Sequence, residues 1–274
     1  MVLIPFSKYQ GSGNDFIIID DRAALFACEN SLLIRRLCNR RLGIGGDGLL
    51  LLQASNKTGF RIRIFNSDGH EVAMCGNGMR CFVHYLRSLG FRDNPYSIEA
   101  MHDIIVCYVK ADKISVQIDR PHVLHWGVPL DVHGHSFEAF VVHTGVPHAV
   151  IFVEDLEDLD IETLGPAIRH DPLFAPEGVN VNFVNTGADG ALRIRTYERG
   201  VEGETHACGT GAAAAALTAV QKIGISTPVR VVPLSGDYLE VDIRPLTSGG
   251  QQIEVSGGAV CIFSGHLSLE QFLS

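Results

Sequence analysis

Apolar and polar residues alternate through Arg61-Ile62-Arg63-Ile64-Phe65 and again through Lys113-Ile114-Ser115-Val116-Gln117-Ile118-Asp119, the period of a strand with one covered face. Three further runs, Ile17 to Ile19, Leu49 to Leu52 and Ala149 to Val153, are apolar without a break and predict strands covered on both faces. Two stretches carry a helical period instead. The first, from Gly76 to about Leu89, sets Met79, Phe82, Val83 and Leu86 on one face and stops before Gly90. The second, from Gly209 to about Ile223, is apolar almost all round through Ala212 to Ala216, Leu217, Ala219 and Val220. That pattern predicts a thin helix enclosed by other structure. Each helix begins directly after a cysteine followed by Gly-x-Gly.

The elements recur. Arg193-Ile194-Arg195-Thr196-Tyr197-Glu198 repeats the pattern of Arg61 to Asn66 at a shift of 132 positions, and Gly145 follows Gly13 at the same shift. Beyond these strands the shift becomes 133, which places Glu204, Cys208, Gly209 and Gly211 on Glu71, Cys75, Gly76 and Gly78. The second copy therefore carries one extra residue before its cysteine. Matches that run through strand, loop, cysteine and helix start favour duplication over chance likeness of short strands. The expectation is an α+β chain of two pseudo-symmetric, mostly-β domains about a pseudo-two-fold axis, each around one inner helix. Residues 1–120 would hold Cys75 and residues 121–261 Cys208, with the stretch from Pro121 to Pro129 as the crossing point.

Composition narrows the function. A chain of 274 residues is long enough for two cores, and its net charge of −9 argues against a surface that tracks nucleic-acid phosphates. No run approaches the roughly 18 apolar residues of a membrane span, and the start Met1-Val2-Leu3-Ile4-Pro5 lacks the order of a signal peptide. A soluble, cytoplasmic protein acting on a small molecule is expected, with neither nucleic acid nor membrane as partner. Seven cysteines, at 28, 38, 75, 81, 107, 208 and 261, show no Cys-x-x-Cys spacing for zinc and read as thiols of a reducing compartment.

Of these thiols, Cys75 and Cys208 stand at repeat-equivalent helix starts. There the unpaired N–H groups and the positive helix end stabilise a thiolate, and the neighbouring glycines admit a bound carboxylate. Paired thiols at two such ends suit removal of the weakly acidic α-proton of an amino acid, because charge developing on its carboxylate meets preorganised N–H donors. Stereoinversion needs a base on one face of Cα and an acid on the other. Two opposed sulfurs about 6–7 Å apart would supply both and would titrate as a coupled pair.

Asn66-Ser67-Asp68-Gly69-His70-Glu71-Val72-Ala73-Met74-Cys75-Gly76-Asn77-Gly78-Met79-Arg80-Cys81 resembles the first catalytic signature of the diaminopimelate epimerase family, and Glu198-Arg199-Gly200 through Cys208-Gly209-Thr210-Gly211 resembles the second. The likeness extends through Gly11 to Phe16, Gly43 to Gly48 and Gly178 to Val181. It implies an isomerase without pyridoxal phosphate or metal, converting LL- to meso-diaminopimelate for lysine and peptidoglycan synthesis. The implied fold is two barrel-like domains around central helices, with residues 262–274 returning to the first, and the implied assembly a homodimer. By the same resemblance Cys75 and Cys208 form the acid–base pair, with His148 and Glu198 as their polar neighbours in the catalytic set. The amides of Gly76, Asn77, Gly209 and Thr210 hold the α-carboxylate, while Asn14, Asn66, Asn180, Glu198 and Arg199 meet the rest of the substrate. One departure stands out. Val146-Pro147-His148 occupies the place of the family's usual Asn-Pro-His, and Val146 is the repeat counterpart of Asn14. A racemase or epimerase of broader specificity, of glutamate or proline type, is therefore the alternative within this chemistry. A thiol redox protein and a non-catalytic binding module are alternatives outside it.

Overall fold

A computed structural model describes residues 3–247, 249–269 and 272. The chain divides into two compact units, Met1–Val116 with Gly257–Ser274, and Gln117–Ser256. Of the segment 262–274, residues 270, 271, 273 and 274 lie outside the described residues.

The first unit runs β1 (Leu3–Gly11), β2 (Asn14–Asp20), α1 (Ser31–Cys38), β3 (Gly48–Ser55), β4 (Gly59–Asn66), β5 (Glu71–Val72), α2 (Gly76–Ser88), β6 (Tyr96–Glu99), β7 (Ile104–Lys110) and β8 (Lys113–Asp119). After β9 (His122–Val132), the second runs β10 (His135–His143), β11 (Pro147–Phe152), α3 (Ile161–Arg169), β12 (Asn180–Thr186), β13 (Leu192–Glu198), β14 (Gly203–Thr205), α4 (Gly209–Ile223), β15 (Val229–Val232), β16 (Leu239–Pro245) and β17 (Gln251–Gly257). The last strand, β18 (Val260–Ser268), pairs antiparallel with β1. From β1 to β8 and from β10 to β17 the order of elements is the same. Pairings repeat as well. β2 and β3 are parallel with Phe16 opposite Gly48, and β11 and β12 are parallel with His148 opposite Asn180, each pair advanced by the 132 positions of the sequence repeat.

Parallel neighbours need a crossover rather than a hairpin. The helices α1 and α3 are those crossovers, and the hydrophobic period predicts neither. Each is short and opened by a side-chain cap: Asn30 Oδ1 accepts from Leu33 N–H at 3.1 Å, and Asp160 Oδ1 from Thr163 N–H at 3.1 Å. Gly165 and Pro166 interrupt α3 as a sequence pattern, yet the glycine is required, since a Cβ there would stand 2.5 Å from the ring of Tyr197. The outer helices explain the unbroken apolar runs. Ile18, Leu50 and Leu52 pack inward with α2, while Ile17, Ile19, Leu49 and Leu51 pack outward with Leu33, Ile34 and Leu37 of α1.

In each unit the strands enclose the longer helix. Met79, Phe82, Val83 and Leu86 of α2 meet side chains from β1 to β4 and β6 to β8. Around α4, residues Ala212 to Ala216 meet β10 to β13 and β15 to β17, and all five are fully buried. Small side chains allow this enclosure because the surrounding backbones must approach the helix axis closely. The helix ends as its sequence predicts, at Gly224 with φ of 70°.

The expected crossing point, Pro121 to Pro129, is largely strand. From His122 onward it belongs to β9, which pairs with β10, and the two compact units divide at Val116 and Gln117 inside β8, a few residues before it. Pro129 sits in this strand where no ladder bond is asked of its nitrogen. Among the described residues no helix is long and apolar enough to cross a membrane.

Enclosure of α4 makes a size prediction. Ala214→Leu adds side-chain volume where Ala214 is fully buried and should cost about 1–3 kcal/mol by overpacking. Gln221→Leu, on the exposed last turn of the same helix, should stay within about 0.5 kcal/mol. Urea unfolding of the two variants measures the difference.

Candidate active site

Cys75 is the N-cap of α2, in extended backbone conformation, and its Sγ accepts from the N–H of Gly78 at 3.4 Å. The same arrangement recurs in the second unit, where Cys208 caps α4 and its Sγ accepts from Gly211 N–H at 3.4 Å. A sulfur is a weak acceptor, so each helix end keeps most of its capacity to bind an anion. Space constrains the two +3 glycines unequally, tightly at Gly78 and absolutely at Gly211. A Cβ on Gly78 would come within 3.3 Å of Leu50 Cδ2, and one on Gly211 within 2.4 Å of Asn182 Oδ1.

Those two neighbours are repeat counterparts, and here the units part. In the second unit a polar chain runs beneath the sulfur. Asn182 Nδ2 donates to the carbonyl of Ala149 and to Nδ1 of His148, both at 3.1 Å, while Asn182 Oδ1 accepts from Thr196 Oγ1 at 3.1 Å. The Ala149 carbonyl can only accept, which fixes the amide orientation and makes His148 Nδ1 the unprotonated nitrogen. His148 Nε2–H therefore donates to Thr210 Oγ1 at 3.0 Å, and the threonine hydrogen is left for Cys208 Sγ, 3.4 Å away. Thr144 Oγ1 holds the carbonyl of Thr210 at 2.9 Å. Complete burial pushes the His148 imidazole down to about 3, with His143 and Arg199 adding to the effect, so the ring is neutral at working pH.

In the first unit the corresponding positions are Phe16, Leu50 and Asn77, and the polar chain follows another route. Asn77 Oδ1 accepts from Arg80 Nη2 at 2.7 Å, Asn77 Nδ2 donates to Asn14 Oδ1, and Asn14 Nδ2 donates to Asp47 Oδ2 at 3.0 Å. Arg40 then bridges Asp47 and Asp15, at 2.7 and 2.6 Å, and Lys8 reaches Asp15 at 2.7 Å. Burial raises the Asp15 carboxyl, but hydrogen bonds from Arg40 and Lys8 outweigh it and hold the group below the usual carboxylate range.

Sequence comparison places this geometry. The profile of the family described as Diaminopimelate epimerase matches residues 6–124 and 140–260. A protein named diaminopimelate epimerase from Archaeoglobus fulgidus is 37% identical over 282 residues, covering 98% of each chain. Another of that name, from Chlorobaculum tepidum, is 40% identical over 266 residues, covering 94% of this chain and 99% of its own. The chain belongs to the diaminopimelate epimerase family. Its fold is shared more widely: a Bacillus anthracis phenazine biosynthesis protein of the PhzF family superposes with a TM-score of 0.77 at 15% identity, over 98% of this chain and 100% of that one.

The residues singled out by the family resemblance are divided between the two units. Cys75, Gly76, Asn77, Asn14 and Asn66 lie in the first unit, with Asn66 closing the turn from β4 to β5 through its bond to the His70 carbonyl at 2.9 Å. Cys208, Gly209, Thr210, His148, Asn180, Glu198 and Arg199 lie in the second. Asn180 Oδ1 accepts from Arg199 N–H at 2.9 Å and its Nδ2 donates to the Pro147 carbonyl at 3.2 Å, so this amide joins β11, β12 and the turn after β13. Glu198 ends β13 beside that turn, and the Arg199 guanidinium stands 3.6 Å from Glu177. The extra residue of the second copy lies in this turn: Phe65 pairs with Glu71, whereas Tyr197 pairs with Glu204. Among the described residues no cluster of three or more His, Cys, Asp and Glu side chains is arranged to hold a metal.

Sequence reasoning does not find Asn182, Thr196 and Arg80, and treats Thr210 and Asn77 only as backbone donors. A signal is present for Asn182. Two asparagines at positions 180 and 182 share one face of an otherwise apolar strand, and a strand interior disfavours asparagine unless its amide has partners.

The chain beneath Cys208 has two measurable consequences. Nitrogen NMR should show His148 as the Nε2–H tautomer with no titration between about pH 5 and 8. Its folded value lies below the unfolded value, so it contributes stability that is present above about pH 6.5 and lost as the pH falls toward its folded value of about 3. Asn182→Leu, which takes the residue of the first unit, should mix the tautomers and cost about 2–3 kcal/mol by orphaning buried partners.

Proposed function

We propose that the chain is a diaminopimelate epimerase that interconverts the LL and meso forms by moving the α-proton between the substrate and two thiols, Cys75 and Cys208. The observation that carries this reading is the cysteine-capped helix start, present at the same place in both halves of a chain of this family. Inversion at Cα calls for a proton acceptor on one face and a donor on the other, and duplication supplies two equivalent groups. One thiolate takes the α-proton, the other thiol delivers a proton, and their charges exchange with each turnover.

The amides of Gly76, Asn77, Gly209 and Thr210 are the proposed donors to the α-carboxylate, where enolate charge develops. Glu198 is assigned to the cationic amino group, and Asn14, Asn66, Asn180 and Arg199 to the remainder of the substrate. For Asn14 the assignment is constrained. Both ends of its amide are engaged, by Asn77 and Asp47, so it offers a substrate only one further hydrogen and one lone pair. His148 acts as a neutral donor that orients the Thr210 hydroxyl, since its depressed basicity keeps it from carrying the proton itself. Pyridoxal phosphate and metal are not required by this scheme. A reducing, cytoplasmic setting suits two thiols that must stay reduced.

Deuterium uptake at Cα in heavy water tests the reading. With LL-diaminopimelate the protein should exchange the α-hydrogen and yield the meso form. Cys75→Ala and Cys208→Ala should each lower inversion by about 100-fold or more, while Cys28→Ala and Cys261→Ala leave it intact. Full inversion by either of the first two variants would exclude the two-thiol scheme.

Specificity turns on Val146. It stands at the turn before β11, where its carbonyl accepts from Thr144 N–H at 3.1 Å and its side chain offers no polar group. A missing neutral or charged hydrogen bond corresponds to about 1–2 kcal/mol, or roughly a factor of ten in discrimination. Val146→Asn should raise the ratio of kcat/KM for diaminopimelate over glutamate by about that factor. An unchanged ratio would mean that this position does not read the substrate.

A further inference from the structure

We propose that Arg80 is a positioning residue of the first half-site: a buried standing cation that balances the charge of the Cys75 thiolate and fixes the side chain of Asn77. The proposal rests on the acid–base reading of Cys75. Among the described residues Arg80 is the largest fully buried side chain, at 0% exposure. Its Nη2 donates to Ser12 Oγ at 2.9 Å and to Asn77 Oδ1 at 2.7 Å, and its Nε points at the Gly258 carbonyl at 3.4 Å. Its Nη1 has no hydrogen-bond partner, and among the described residues no carboxylate pairs with the guanidinium. Burial lowers its basicity, yet a guanidinium keeps its proton in proteins.

An interior cation without an anion is costly, and a chain retains one where an anion forms beside it. Three thiols lie within its electrostatic reach, those of Cys75, Cys81 and Cys107. Burial pushes Cys81 and Cys107 up to about 12, so both stay neutral. Cys75, at the helix start five residues before Arg80, is the thiol left to carry charge.

Several other ionisable groups around α2 are matched or neutral, and Arg61 of β4 acts on Glu99 of β6. Lys8 pairs with Asp15, Arg40 with Asp15 and Asp47, and Arg63 with Glu71. Burial raises Tyr9 and Tyr85 to about 12 and lowers His84, so these three are uncharged, and Cys261 lies exposed on β18. The second unit uses a different device. Ala213 is the repeat counterpart of Arg80 and Thr210 that of Asn77, so a hydroxyl held by His148 faces Cys208 where the first unit has a buried cation.

Alkylation of each cysteine by iodoacetamide as a function of pH, read by peptide mass mapping without substrate, tests the assignment. Arg80→Gln keeps an amide donor but removes the charge, and Arg80→Lys keeps the charge. In Arg80→Gln the reactivity midpoint of Cys75 should rise by about one pH unit or more, with Cys208 unmoved, and Arg80→Lys should restore most of the shift. In the same variants kcat of inversion should follow the Cys75 midpoint. An unchanged midpoint in folded Arg80→Gln overturns the proposal, as does an equal shift in Gln and Lys variants. Because no substrate is present, this outcome is independent of whether the protein inverts diaminopimelate.

Should neither variant fold, wild type is compared with Cys75→Ser. A thiol with a folded value below its unfolded one contributes stability that is fully present above about pH 8.5 and lost as pH falls through the folded value. A stability difference that stays flat with pH overturns the proposal.

Discussion

A helix enclosed on every side must still satisfy the N–H groups of its first turn, and in this protein that requirement organises the rest. Solvent is excluded from the flanks of α2 and α4, so the caps carry the burden. An oxygen-bearing cap would close the helix start more tightly. Cysteine closes it loosely, at 3.4 Å in both units, and leaves amides able to take a carboxylate. The same weak cap puts an ionisable thiol at the positive end of the helix, where charge on sulfur is least costly. Enclosure also dictates the alanines of α4 and the glycine three residues after Cys208, where a Cβ would stand 2.4 Å from Asn182 Oδ1.

Duplication copied this frame and divergence filled it in two ways. Element order, the parallel pairs with their crossover helices and the thiol caps are held in common. The side chains under the thiols are not. Phe16 and Leu50 keep the space under Cys75 apolar, and a full charge is supplied by Arg80. His148 and Asn182 make the space under Cys208 polar, and charge there is met by hydroxyl and amide. The amides of both arrangements are well engaged: Asn182 is bonded through three contacts and Asn77 through both ends of its amide.

Much of the fold is legible in the order of residues. The period-two segments, the unbroken apolar runs and the two Gly-x-Gly helix starts each form the expected element, because side-chain period follows directly from backbone geometry. The one-residue offset between copies is a longer turn between β13 and β14, a place where an insertion leaves the strand register intact. Less legible are α1 and α3, too short for a clear period and with α3 broken by Gly165 and Pro166, and β9, whose proline and histidines mask a strand that pairs with β10.

By itself the sequence determined the repeat, the positions of the two thiols and the family, all of which are written in order and spacing. Tertiary structure alone decided the partners of the buried polar groups. Arg80 reads as an ordinary charged residue on a helix until α2 is seen enclosed, and its surroundings include groups as distant along the chain as Gly258, 178 positions on, whose carbonyl accepts from its Nε. The tautomer of His148 likewise depends on Asn182, which lies 34 residues on along the chain but faces it across a parallel pair of strands. Spacing along a chain encodes local geometry, whereas hydrogen-bond satisfaction and charge balance are set by whichever groups the fold brings together.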